Sequence, residues 1–116
     1  MSLLDIGMLQ SLYELGDELH DELLQMFEED FEPRLQKIQE GIENKNPQML
    51  AEYAHSLKGA SGAIGALELR TLSFELEKLG KDERIPNINC LDVLRETHNR
   101  TLEAFKDYKK SLSSGR

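Results

Sequence analysis

The chain has 116 residues and a formal net charge of −8, with 22 acidic and 14 basic side chains. This length suits a single domain over residues 1–116 and is too short for the lobes of an ATP-dependent kinase. The acidic balance and the scattered Lys and Arg residues argue against nucleic-acid binding, which requires a basic face. No apolar run approaches the ~20 residues of a membrane span. We therefore expect a cytoplasmic domain without membrane contact, whose partner is a soluble protein.

The two chain ends and the single cysteine carry no functional motif. Residues 1–3 and 113–116 are expected to be disordered ends outside the packed domain. Cys90 is the only cysteine, which excludes an internal disulfide. We expect its thiol to fill a small space in the core.

The first two elements are helices separated by a glycine. Residues 5–15 form a short helix that ends at Gly16. Asp17 is expected to cap a long second helix that runs to about Asn44, because acidic residues crowd its first turn and apolar residues recur at three- and four-residue steps. Pro33 is expected to kink this helix.

Three further helices are expected over residues 46–64, 66–79 and 89–112. Asn46 and Pro47 form a cap and first-position pair, and Asn89 caps the last helix. Gly65 and Gly80 are expected to end the two helices before them. No strand pattern is present, so the sequence predicts an all-α fold: an antiparallel up-down four-helix bundle with a short additional N-terminal helix.

His55 is expected to lie on the solvent side of the third helix. At about 100° per residue, Leu50 and Leu57 face the core, and His55 points about 160° away from them. A satisfied core histidine is thereby excluded, but an ordinary surface histidine remains an alternative. Gly59 and Gly62 share the face of His55, although each glycine costs a helix about 1 kcal/mol relative to alanine. Their lack of side chains would let a bulky partner approach the imidazole.

The segment AHSLKGASGAIGALELRTLSFELEKLG, residues 54–80, carries a family resemblance. It resembles the signature of the histidine phosphotransfer (HPt) domain family of two-component phosphorelays, at His55, Lys58, Gly59 and Gly65. The resemblance implies a four-helix bundle in which an exposed histidine, here His55, is phosphorylated. That histidine accepts a phosphoryl group from a receiver-domain aspartyl phosphate and passes it to another receiver aspartate.

The expected partners are response-regulator receiver domains and a hybrid sensor histidine kinase. The domain is expected to occur either free or as the cytoplasmic part of a larger membrane sensor. No intrinsic cofactor, metal site or ATP-dependent kinase activity is expected. Mg²⁺ should come from the receiver, because no set of acidic ligands clusters around His55.

Three other side chains near His55 have expected roles. Glu77 follows His55 by 22 residues, where family members commonly place Glu or Gln, and its carboxylate is expected to orient the imidazole; a solvated surface charge is the alternative. Lys58 is expected to neutralise phosphate charge, with a plain surface lysine as the alternative. Phe74 belongs either to a docking surface or to local packing.

Two competing classes of function stay open from the sequence. One is a non-catalytic helical adaptor in which His55 is incidental, and the other is a metal-binding bundle. His20 and His98 are expected to be ordinary residues at the edge of the core, because neither has the spacing of a metal-binding motif.

Overall fold

The computed structural model describes residues 2–114, so the prediction of disordered ends lies outside the described residues at positions 1, 115 and 116. Within the described part the chain forms helices and one isolated bridge, between Leu4 and Ala66, but no sheet. The helices are α1 Ile6–Glu14, α2 Asp17–Glu43, α3 Pro47–Ala63, α4 Leu67–Lys81 and α5 Cys90–Ser114. The last of them continues past its predicted end into the C-terminal segment that the sequence assigned to a disordered end.

Local signals explain most of the helix ends. The Asn46 side chain accepts a hydrogen bond from the Met49 backbone N–H at 3.1 Å, and Pro47 is the first residue of α3. Gly65 has a φ of 77°, in the left-handed region that glycine adopts without strain. At the start of α2 the expectation was wrong by one residue, because Asp17 is already helical and the cap position belongs to Gly16. The helix then continues through Pro33.

Gly80 does not end α4, contrary to the prediction. The helix continues to Lys81, and Gly80 faces α3 instead. A Cβ atom at Gly80 would lie 2.6 Å from the Pro47 carbonyl oxygen and 2.8 Å from the Ala51 backbone nitrogen. Glycine is therefore required here for the close approach of two helices, which a sequence taken segment by segment does not reveal.

Helix α3 lies between α2 and α4 and packs against both, whereas α1 rests on α2 and α5 packs on α4. Contacts join α2 and α3 near Arg34 and Ser56, whose side chains are 3.0 Å apart. Aromatic rings fill the space between α2 and α5, where His98 stacks on Phe31 at 3.8 Å between ring centroids. The buried core comprises Leu4, Leu9, Phe27, Phe31, Leu35, Ile38, Ile42, Leu50, Ala54, Leu57, Ile64, Ala66, Leu69, Leu76, Leu91, Leu94 and Phe105.

His20 is a core residue, so its predicted place at the edge of the core was wrong. Its side chain is completely buried, and Nε2 lies 3.0 Å from the Ile64 carbonyl oxygen at the end of α3. Phe105 meets the ring edge-on at 4.7 Å between centroids, and Tyr13 of α1 lies at 5.7 Å. His98 is half-buried, as a residue at the core's edge should be. In the described part of the chain, no helix is both long and apolar enough to cross a membrane.

Candidate functional site

His55 stands on the outer side of α3 and reaches a carboxylate on α4. Its side chain is 67% exposed, whereas the side chain of Glu77 is only 2% exposed. The distance between His55 Nδ1 and Glu77 Oε2 is 2.6 Å. Because a carboxylate accepts hydrogen bonds, this contact assigns the proton to Nδ1 and leaves the lone pair of the neutral ring on Nε2.

Glu77 lies on the buried face of α4, where Gly80 allows a close approach to α3. Leu72 and Leu79 follow the three- and four-residue period of apolar residues in α4, but both are only half-buried. The buried face of α4 comprises Leu69, Ser73, Leu76, Glu77 and Gly80. The Ser73 hydroxyl donates to the carbonyl oxygen one turn back in its own helix, so it needs no partner on α3. From this face the Glu77 carboxylate reaches His55 and Lys58 of α3.

Cations surround the Glu77 carboxylate. Lys58 Nζ lies 2.6 Å from Oε1, and Lys81 Nζ lies 3.4 Å from Oε2. Burial by itself raises the pKa of Glu77, but hydrogen bonds from Lys58 and His55, together with the charges of Lys58 and Lys81, outweigh it and lower the pKa to about 2. Glu77 is therefore an anion over the physiological pH range and not a solvated surface charge.

The two glycines beside His55 have different surroundings. A Cβ atom added at Gly59 would have no neighbouring atom within 4 Å outside its own helix turn. At Gly62 a Cβ atom would lie 3.1 Å from Cδ of Arg70, so the side chain of Arg70 occupies the space over that glycine. Open access on the histidine's face is thus found at Gly59, and the access role of Gly62 stays a prediction.

Phe74 lies at the edge of this group of residues and is 44% exposed. Lys58 Nζ is 4.8 Å and Lys78 Nζ is 4.7 Å from the centre of its ring, within the range of cation–π attraction. The ring therefore has a local packing partner in Lys58 and also an exposed surface. Its role in docking stays a prediction.

Comparison with known proteins places this geometry in a family. The family model of the Hpt domain matches residues 22–104, a segment that contains His55, Lys58 and Glu77. The chain belongs to the Hpt domain family. The solved structure of histidine-containing phosphotransfer protein B (HptB) from Pseudomonas aeruginosa PAO1 is similar, with a TM-score of 0.76 and 27% identity over 94% of this chain and 96% of that chain. No curated protein matches the chain in sequence.

Family membership confirms the resemblance inferred from residues 54–80 and assigns the Hpt domain a histidine phosphotransfer role in a phosphorelay. The all-helical fold also agrees with the family. The roles of the individual residues stay predictions, although the structure does bring His55, Lys58 and Glu77 into contact.

Lys81 is a neighbour of the site in this Hpt domain that was not predicted from the sequence. Lys81 contacts Glu77, and the signal for it was present, because residues four apart on a helix are neighbours. The predicted helix end at Leu79 left Lys81 outside the helix and so hid this relation.

The cation-rich surroundings also bear on metal binding. Among residues 2–114 the structure contains no group of three or more His, Cys, Asp or Glu side chains that could hold a metal ion. The carboxylate nearest His55 already has two ammonium partners, so it does not suit Mg²⁺, which prefers free carboxylate and water oxygens.

Proposed function

We propose that this Hpt domain carries a phosphoryl group on Nε2 of His55 between the aspartates of receiver domains. The observation that supports the proposal is the 2.6 Å contact between Nδ1 of an exposed imidazole and a buried carboxylate. An imidazole fixed in this way directs its nucleophilic nitrogen toward solvent. A phosphoryl carrier needs this orientation because its partner proteins approach from solution.

The transfer step follows from this tautomer. The Nε2 lone pair attacks the phosphorus of a receiver aspartyl phosphate, an N–P bond forms, and the bond from phosphorus to the aspartate oxygen breaks. The electron pair of that bond leaves with the receiver carboxylate. Nδ1 keeps its proton, so the phosphorylated ring is cationic, and the Glu77 carboxylate beside it offsets this charge. The reverse sequence delivers the phosphoryl group to a second receiver.

Neighbouring residues have supporting roles in this proposal. Lys58, one turn after His55, neutralises charge on the phosphoryl group, and Gly59 leaves room for the receiver backbone. Gly62 adds to this access once the Arg70 side chain over it moves aside, and Phe74 contributes apolar surface to docking. Mg²⁺ belongs to the receiver, where it would offset charge on the transferring phosphoryl group.

The finer architecture belongs to the same proposal. Helices α2 to α5 form an antiparallel up-down bundle, with α1 across one end. Contacts between neighbouring helices support it, because residues with higher numbers on one helix meet residues with lower numbers on the other. Asp21 and Glu32 of α2 pair with Lys109 and Arg95 of α5, in that order. The domain would act in the cytoplasm with response-regulator receivers and a hybrid sensor histidine kinase.

The first prediction tests the phosphorylated residue with a receiver domain charged by radioactive acetyl phosphate. The wild-type chain should gain a label that is stable in alkali and lost in acid, as expected for phosphohistidine. His55→Gln should abolish this label completely, and its helical circular dichroism should be unchanged because the side chain is exposed.

His98→Gln is the matched control, since it removes another imidazole that is not fully buried. It should keep the label. Label that persists in His55→Gln, or that disappears equally in His98→Gln, would contradict the assignment to His55.

A further inference from the structure

The buried carboxylate of Glu77 makes three polar contacts, and only one of them is needed to orient the imidazole. His55 and Lys81 share Oε2, at 2.6 and 3.4 Å, while Lys58 holds Oε1 at 2.6 Å. Lys58 is therefore engaged with Glu77 before any phosphoryl group arrives. Lys81 is 66% exposed and its contact is the loosest of the three.

Phosphorylation of His55 creates a competition for Lys58. The phosphoryl group brings negative charge one helical turn from Lys58, which the proposed function assigns to that group. If Lys58 turns toward the phosphoryl group, Glu77 loses its closest ammonium partner. A buried carboxylate left without compensation is strongly unfavourable, and this cost opposes the movement of Lys58.

We propose that Lys81 is a positioning residue that takes over the Glu77 carboxylate and thereby releases Lys58 to the phosphoryl group. This inference rests on the proposed function. Lys81 extends from the next turn of α4 after Glu77 and already lies within ion-pair distance of Oε2. The exchange therefore needs only a small closing movement of one flexible side chain. Glu77 keeps an ammonium partner throughout, and the phosphoryl group gains one.

The neighbouring Lys78 provides a matched control. It carries the same charge on the last turns of the same helix, but its ammonium lies over the Phe74 ring, 4.7 Å from the ring centre. Removing Lys78 therefore changes the net charge near the site as Lys81→Gln does, without removing a partner of Glu77.

The second prediction uses phosphoramidate, which transfers its phosphoryl group to a histidine nitrogen with release of ammonia and needs no receiver docking. Lys81→Gln should slow phosphorylation of the full chain about three- to fivefold, the range that a partly exposed ion pair supports. Lys81→Arg should restore the rate because it restores the cation. Lys78→Gln should change the rate by less than about twofold, as expected for a screened surface charge.

The decisive measurement repeats the Lys81 substitution in a Glu77→Gln chain. The amide still accepts a hydrogen bond from Nδ1 of His55 but needs no ammonium partner. In that background Lys81→Gln should have no further effect. A slowing of the same size there, or equal slowing by Lys81→Gln and Lys78→Gln in the wild type, would overturn this inference. The proposed function fails separately, if the wild-type chain and His55→Gln are labelled alike.

Discussion

His55 and His20 are both held by one hydrogen bond, yet their surroundings are reversed. His55 is exposed and its partner Glu77 is buried and charged, whereas His20 is buried and its partner is a neutral carbonyl oxygen, that of Ile64. The second nitrogen of His20, Nδ1, is sealed in the core without a hydrogen-bond partner. The second nitrogen of His55, Nε2, belongs to a ring that is largely exposed.

This fold tolerates a new charge at His55 but not at His20. Around His20 burial lowers the pKa of the imidazole, against a smaller opposing effect from the Ile64 carbonyl, and Lys109 lowers it further. That ring stays neutral and stabilises the fold by packing. Around His55 the buried charge is placed on the partner and balanced by lysines, so the exposed ring can become cationic without a charge entering the core.

The largest expected effect is the difference in stability between variants that lack His20 and variants that lack His55. His20→Ala should lower the free energy of unfolding by about 3 kcal/mol, because it removes a fully buried ring, its aromatic contacts and its hydrogen bond. His55→Ala should change it by less than about 1 kcal/mol, since Glu77 keeps both lysines. Urea denaturation followed by circular dichroism measures both values. Equal losses of stability in the two variants would contradict a structural role for His20 that His55 does not share.

The next effect is the acid dependence of stability that the buried carboxylate creates. The folded-state pKa of Glu77, about 2, lies below its ordinary value of 4.5. A lowered carboxyl pKa stabilises the fold above the unfolded-state value, and this stabilisation is lost as the pH falls toward the folded-state value. Between pH 5.5 and pH 3, Glu77→Gln should therefore lose about 2 kcal/mol less stability than the wild type.

The histidines provide the control for this titration, because their contribution to stability begins to decline at a higher pH and is the same in both proteins. His20 and His98 both have a lowered pKa, chiefly from burial, so their stabilisation declines as the pH drops below 6.5. That decline should be present in the wild type and in Glu77→Gln alike. If the free energies of unfolding of the wild type and Glu77→Gln fall in parallel below pH 5, the Glu77 carboxylate carries no buried charge.

The sequence could predict what depends on neighbours along the chain. Asn46 and Pro47 mark a helix start through local capping chemistry, and the outward direction of His55 follows from helical periodicity alone. His20 was misplaced because its acidic neighbours suggest an exposed turn, whereas α1 and α5 supply the aromatic rings that cover it. Gly80 was misread for a related reason, since only the crossing with α3 requires it.

The candidate site also combines features that the sequence predicts with features that depend on contacts between helices. The family resemblance suggested that Glu77 contacts His55, but the apolar period of α4 is carried by leucines and gives no sign that Glu77 is buried. Periodicity could not show that Gly80 lies against α3, or that Ser73 and Glu77 share the buried face of α4. Burial of Glu77 depends on two helices at once, as does the competition for Lys58 that follows from it.

The smallest effect tests whether the face of His55 is open because a partner needs it. Gly59 has free space around it, so Gly59→Gln should raise the free energy of unfolding by about 0.5–1 kcal/mol through helix propensity alone. The same side chain should obstruct a docked receiver and slow transfer from it about tenfold, the cost of a modest steric clash. Phosphorylation by phosphoramidate, which is small, should be unaffected. Gly59→Ala should stabilise the helix similarly but slow the receiver less, because a methyl group projects little. If both variants accept phosphate from the receiver as fast as the wild type, the open face serves no partner and Gly59 has no role in access.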